Sequence, residues 1–280
     1  MEIISKIPVL LERLQQETDI AFVPTMGNLH EGHLALMSLA KQRSKCVVAS
    51  IFVNPLQFGP QEDLARYPRT LAEDCHKLMA AGVDVVFTPT EQELFPVPQQ
   101  VSVEPPPIAS ELCGAFRPGH FRGVATIVLK LLNIVRPTVS VFGKKDYQQL
   151  HVIRTMVSQL NVPVEIVGGE TMRAADGLAL SSRNGFLSEL ERIEAVRLFQ
   201  NLEAIHQALL LGNRDFIHME TNAKAELEAH GWRVDYFSIR NQQTLNPAQV
   251  SDRDIVILAA AWLGGTRLID NLEVFLPANP

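Results

Sequence analysis

The sequence predicts an α/β protein: a Rossmann-like, doubly wound parallel sheet followed by a second, smaller α+β domain. Three observations carry this. Short apolar runs alternate with longer amphipathic ones through the first two-thirds of the chain. Residues 46–53 form a continuous apolar run rich in β-branched residues, and 83–87, apart from Asp84, are of the same type, as strands covered on both faces are. After about residue 170 the order changes, and two long helical stretches precede the remaining strand-like runs.

The elements follow in order. Residues 19–24 read as a strand ending at Pro24, and residues 34–43 have helical periodicity. After the strand at 46–53, residues 70–81 form a helix for which Gly82 supplies the C-cap. A strand at 83–87 follows, then a stretch from 89 to 107 with six prolines that reads as an extended loop. Residues 121–135 are an apolar helix, 139–142 a strand, 146–160 a helix and 162–167 a last parallel strand. This β-α-β-α order calls for parallel strands joined by helical crossovers. Gly168-Gly169 ends that part, and the boundary falls within 170–177, dividing the chain into domains 1–174 and 175–280. The second domain reads as helices over 189–211 and 214–230, then strands over 233–239 and 254–260.

Composition narrows the function classes. With 46% hydrophobic and 20% charged residues, the 280-residue chain has the make-up of a soluble globular protein. A net charge of −6 counts against a nucleic-acid partner, which needs a basic surface. The longest apolar run, residues 255–263, is too short to span a bilayer, so no membrane partner is expected. The first residues lack the apolar core of a secretory leader, and three cysteines with no CxxC spacing fit reduced thiols. The expected location is therefore the cytoplasm.

In a doubly wound sheet, ligands bind beyond the carboxyl ends of the strands. The loop after the first of these strands runs Pro24-Thr25-Met26-Gly27-Asn28-Leu29-His30-Glu31-Gly32-His33. Its glycines allow close backbone approach, and a helix starting near Gly32 turns free N–H groups and a positive dipole end toward a ligand. That is an anion site suited to phosphates, with two histidines able to donate to developing charge. Zinc is a second reading of the two histidines, but no third ligand stands at a fitting distance. The next loop carries Asn54 and Gln57, whose amide both donates and accepts, as a hydroxy acid requires. The loop after residue 142 is Gly143-Lys144-Lys145-Asp146, suited to a triphosphate with Mg²⁺, and Gln149 lies one turn further on. Residues 117–123 read as a mobile basic loop placed to close over charged substrate. Leu180-Ser181-Ser182-Arg183-Asn184 offers hydroxyls and a guanidinium for phosphate oxygens, at a junction where a hinge would bring it onto ATP.

Taken together, these segments resemble a known family. His30-Glu31-Gly32-His33 resembles the HxGH signature of the nucleotidyltransferase superfamily, and residues 180–184 its KMSKS-type loop. The strings at 22–30, 50–58, 66–70, 117–124, 146–150, 177–184, 259–264 and 267–271 resemble the pantoate–β-alanine ligase family across nearly the whole chain. The resemblance implies ATP-dependent condensation of pantoate with β-alanine through a pantoyl adenylate, in a homodimer using Mg²⁺. It implies His33 as proton donor, with His30, Lys145 and Arg183 as further catalytic groups. Met26 to His33, Gly143 to Asp146, Met172 and Leu180 to Arg183 would line the ATP site. Gln57 and Gln149, with Pro24, Thr25 and Asn54, would hold the acid. Asp74 or Glu73 would help hold Mg²⁺. The family usually has glutamate where this chain has Lys144. The runner-up is a nucleotidyltransferase acting on another small acceptor. A dinucleotide oxidoreductase is disfavoured, because the loop lacks GxGxxG.

Overall fold

The structure is a computed structural model and describes residues 1–60 and 62–277. It divides into two compact units: Met1–Lys144 with Gln149–Thr171, and Lys145–Gln148 with Met172–Pro280. The last three residues of the expected second domain, 278–280, lie outside the described residues.

The first unit runs β1 (Glu2–Ile4), α1 (Ile7–Leu14), β2 (Ile20–Thr25), α2 (Glu31–Arg43), β3 (Cys46–Ile51), α3 (Leu71–Ala80), β4 (Val85–Phe87), the short α4 (Glu91–Leu94) and α5 (Cys113–Phe116), α6 (His120–Val135), β5 (Val139–Gly143), α7 (Tyr147–Gln159, from Gln149 onward) and β6 (Glu165–Gly169). Its six strands are all parallel, in the order β1-β4-β3-β2-β5-β6. The expected doubly wound sheet is present, with an additional strand and helix at its start. That opening escapes sequence reading because β1 is only three residues long, although Pro8 in the first turn of α1 is an ordinary helix-start signal.

Side-chain alternation explains how the sheet is covered. Ala21, Val23, Val47, Ala49, Val86, Val141 and Val167 share one core with Met37 and Ala40 of α2 and Leu78 of α3. β6 fixes the other face: a Cβ on Gly169 would strike Leu36 of α2, whereas one on Gly168 would meet Leu150 of α7. Helices therefore lie on both faces, as parallel strands require. The chain winds from β2 through β3 to β4 in one direction and from β5 to β6 in the other, so the direction switches between β2 and β5. There the ladder is short. β2 pairs with β3 as far as Thr25, but with β5 only at Ala21 and Phe22, which leaves their carboxyl ends open to a ligand.

The second unit carries α8 (Glu189–Glu194), α9 (Arg197–Leu210), α10 (Phe216–Ala229), β7 (Arg233–Asn241), β8 (Asp254–Leu263) and β9 (Thr266–Phe275). The strands form an antiparallel sheet in the order β7-β8-β9. Leu198, Leu202, Ile205 and Leu209 on α9 and Met219, Ala223 and Leu227 on α10 recur at helical spacing. They share a core with Ile255, Ile257, Ala259, Ala261 and Leu263, the alternate residues of β8. The single helix expected over 189–211 is two helices, interrupted after Glu194. β9 is not among the expected strands. Its alternation is broken by Asp270, Asn271 and Glu273, although the Gly264-Gly265 pair before it is a hairpin signal.

Asp270 is buried because it is paired. Arg173 Nη1 and Nη2 donate to its two carboxylate oxygens at 2.6 and 2.9 Å, and Nη2 also donates to the Asn271 carbonyl. Burial pushes the Asp270 carboxyl up, and the Arg173 guanidinium opposes that shift. Arg173 also lies over the Phe199 ring, 4.1 Å from its centroid. All three cysteines are free and buried, and burial pushes the Cys46 thiol up to about 11. No helix among the described residues is long and apolar enough to cross a membrane. Arg173→Ala would strand the Asp270 charge, a change that typically costs about 3–5 kcal/mol. Chemical denaturation should detect it, and a variant as stable as the parent would show that the pair does not hold this unit.

Candidate active site

The loop after β2 is shaped by a residue far away in sequence. Gly27 and Asn28 both have positive φ, +85° and +51°, and their tight bend turns two successive N–H groups toward α3. Asn28 N–H donates to Asp74 Oδ2 at 2.9 Å, and Leu29 N–H donates to Oδ1 at 2.7 Å. The Thr70 hydroxyl donates to the same Oδ2. One turn further along α3, the Lys77 ammonium donates to the Leu29 carbonyl at 2.6 Å. Asp74 is 1% exposed, and a Cβ on Gly27 would sit 3.0 Å from its Oδ2. Both carboxylate oxygens already accept hydrogen bonds from the loop or its neighbour. Asp74 therefore braces the loop, which corrects the idea of it as a Mg²⁺ ligand. Glu73, in the first turn of the same helix, is exposed.

The histidines stand where the loop becomes α2. The helix begins at Glu31, one residue before the expected start, and His30 is its N-cap. His30 Nδ1 accepts from the Gly32 N–H at 3.1 Å, and His33 Nδ1 accepts from the His30 N–H at 3.3 Å. The rings lie 4.2 Å apart between centroids. This is a capping box with imidazoles in place of the usual hydroxyl and carboxylate. Its chemical consequence is a fixed tautomer. An Nδ1 that accepts from a backbone N–H carries no proton, so each neutral ring carries its proton on Nε2 and donates from there.

β3 ends at Ile51, and a 3₁₀ turn at Pro55–Gln57 follows. Asn54 caps it: its Oδ1 accepts from the Leu56 N–H, and its Nδ2 donates to Gln57 Oε1 at 3.0 Å and to the Gly123 carbonyl. Gln57 Nε2 points to Met26 Sδ, 3.2 Å away, so the amide of Gln57 is held between its own turn and the loop after β2. Gly123 is required here, because a Cβ would lie 2.0 Å from the Leu56 carbonyl oxygen. The Thr25 hydroxyl donates to the Ser50 carbonyl and accepts from the Gly27 N–H, joining the ends of β2 and β3. Met26 to His33, Pro24, Thr25, Asn54 and Gln57 are thus brought together at the open end of the sheet. Gly143 and Lys144 stand at the end of β5, and half-buried Gln149 is the third residue of α7.

One expectation changes. The 117–123 segment is not a free basic loop: Arg117 forms a bidentate pair with Glu62 at 2.8 and 2.6 Å and contacts His120, and α6 begins at His120. Lys144, the departure from the family pattern, pairs with Glu170 just beyond β6 at 2.6 Å.

In the second unit, Lys145 and Asp146 end the 3₁₀ turn Lys144–Asp146, with Asp146 exposed. The Lys145 carbonyl accepts from Asn271 Nδ2 at 2.9 Å. Met172 is exposed, and its carbonyl accepts from the Leu180 N–H. Ser181 caps the 3₁₀ turn Ser182–Phe186 by accepting from the Arg183 N–H at 3.3 Å.

Comparison with known proteins accords with this geometry. A family model described as pantoate-beta-alanine ligase matches residues 2–273. A pantothenate synthetase of Methylobacillus flagellatus is 58% identical over 273 residues, covering 98% of each chain. One from Neisseria meningitidis serogroup B is 56% identical, covering 99% of this chain and all of that one. Among solved structures, the pantothenate synthetase of Thermus thermophilus superposes with a TM-score of 0.94 at 44% identity, covering 98% of this chain and 100% of that one. A pantoate-beta-alanine ligase of Francisella tularensis, solved as a complex with beta-gamma ATP and β-alanine, superposes with a TM-score of 0.82 at 34% identity, covering 97% of each. With the family model spanning almost the whole chain and close relatives matching end to end, the chain belongs to the pantoate–β-alanine ligase family.

Proposed function

We propose that the ligase reaction of this family, condensation of pantoate with β-alanine driven by ATP, is run here by the loop after β2, the turn holding Gln57 and the Lys145 and Ser181–Arg183 segments of the second unit. The observation that carries the reading is the reciprocal histidine cap at the switch point of the sheet.

In the first step a pantoate carboxylate oxygen attacks the α-phosphorus of ATP. The new P–O bond forms as the bond to the bridging oxygen breaks, and pyrophosphate leaves. A carboxylate with a pKa of about 4 is already ionised, so no general base is needed. The step needs alignment and neutralisation of charge on the phosphate oxygens. His30 and His33 donate from Nε2, His33 in the role of proton donor, with the α2 N-terminus adding its dipole. Lys145, Ser181, Ser182 and Arg183 handle the remaining phosphate charge, and Met172 and Leu180 line the nucleotide. Gln57 keeps one amide hydrogen and one lone pair beyond its bonds to Met26 and Asn54, which suits a pantoate hydroxyl. Gln149 is the second holder. In the second step the β-alanine amine attacks the acyl carbon, a C–N bond forms and AMP departs with the shared oxygen.

Mg²⁺ would suit the triphosphate: the exposed Asp146 carboxylate would offer it an oxygen ligand, and the ion would supply neutralisation of charge on the leaving pyrophosphate. Homodimeric assembly and a cytoplasmic location complete the reading, the first checked by light scattering on the purified protein.

The decisive assay is pyrophosphate release from ATP and pantoate with β-alanine withheld. Release that required a different acid would overturn the substrate assignment. His33→Ala should keep the fold and slow that release by ~10²–10³; near-normal release by the pure variant would remove His33 from the chemistry. Gln57→Ala should raise the pantoate KM more than the ATP KM, and equal effects would argue against a pantoate contact. Asp74→Asn removes one acceptor from under two backbone donors. It should cost about 1–3 kcal/mol in stability and lower kcat, and unchanged melting and turnover would show that the loop holds its shape without the carboxylate.

A further inference from the structure

The turn that carries Gln57 is held from behind by a linked set of side chains that play no direct part in the reaction above. The Gln57 carbonyl lies 2.8 Å from His120 Nδ1, and Arg117 Nη2 stands 3.5 Å from the same oxygen. On the far side of the imidazole, Nε2 lies 3.0 Å from Arg117 Nη1. These two contacts settle the proton's position. A carbonyl oxygen can only accept, so Nδ1 carries the hydrogen; a guanidinium can only donate, so Nε2 carries none. His120 is 8% exposed and therefore sits as a neutral donor between two fixed partners. Arg117 is oriented in turn by its two bonds to Glu62, a fork-to-fork pair with little freedom to swing. The tautomer is the opposite of that imposed on His30 and His33, whose Nδ1 atoms accept.

We propose that His120, oriented by Arg117 and Glu62, is a positioning residue for pantoate: by fixing the Gln57 carbonyl it sets where the Gln57 amide meets the acid. The inference rests on the reading of Gln57 as a pantoate holder. The Gln57 side chain is already tied to Asn54 and Met26, so its remaining freedom is that of its own backbone, and that backbone is what His120 holds. His120 is the first residue of α6, and the close approach permitted at Gly123 keeps that helix against the turn.

The test uses steady-state kinetics on three substitutions in the full-length enzyme, with thermal melts alongside. His120→Ala should raise the pantoate KM about tenfold, the scale of one lost hydrogen bond, with the ATP KM moving by less than about twofold. His120→Asn places an amide N–H where Nδ1 stood and should restore most of the pantoate KM. His120→Gln places its amide near the Nε2 position and should not. An asparagine variant no better than the glutamine one, or parallel rises in both KM values, would overturn the proposal. If His120→Ala fails to fold, the Asn-against-Gln contrast decides alone. Gln57→Ala separates the layers. If it raises the pantoate KM while His120→Ala does not, the positioning role fails and the reading of Gln57 stands. If Gln57→Ala itself leaves the pantoate KM unchanged, that reading falls and the positioning role falls with it.

Discussion

The first unit depends on one buried carboxylate. What meets Asp74 is the loop itself, through the N–H groups of Asn28 and Leu29. Two backbone donors in a bend with positive φ are what a buried carboxylate needs, and the carboxylate is what holds such a bend open. Lys77 binds the one carbonyl that the bend turns back toward α3. With the loop fixed, α2 must begin at Glu31, and His30 must stand at its cap. The histidine tautomers then follow from the cap. Orientation of the two imidazoles is thus determined by a helix, α3, to which neither belongs.

The legible and illegible parts of the chain divide along a physical line. Strands buried on both faces announce themselves by composition, so β3, β4 and β5 are readable within a few residues. The histidine loop is readable because its determinants, glycines and a helix start, are local. Asp74 is easily misread because its partners lie 45 and 46 residues away and are backbone atoms, which no side-chain pattern reveals. The 117–123 segment misleads because an arginine near glycines looks solvent-bound until its partner, Glu62, is placed beside it. β9 is hidden for a related reason. A strand that carries a buried aspartate does not alternate, and the guanidinium that pairs with that aspartate, Arg173, lies about a hundred residues earlier.

His30, His33 and His120 show how little of an imidazole's behaviour belongs to the residue. In His30 and His33 the backbone donates to Nδ1; in His120 a carbonyl accepts from it. The same side chain is set to present Nε2–H at the helix start and an Nε2 lone pair toward Arg117. In each case the direction of the neighbouring backbone group decides, and that direction is itself a product of local capping.

The second unit draws on two separate stretches of chain. Lys145–Gln148, the end of the turn after β5 and the first two residues of α7, cluster with it, and two of their contacts are specific: Asn271 donates to the Lys145 carbonyl, and the Tyr147 hydroxyl donates to Glu273 at 2.8 Å. A unit assembled in this way is not a cassette. Cutting the chain after Thr171 would leave Asn271 and Glu273 on β9 without the four-residue visitor they bind. Exchange of the C-terminal portion between relatives would keep the Lys145 carbonyl contact whatever residue stood there, but would keep the Tyr147 contact only with a hydroxyl donor at position 147 and an acceptor at position 273. One position at the start of α7 thus answers to one on β9 more than a hundred residues further along the chain.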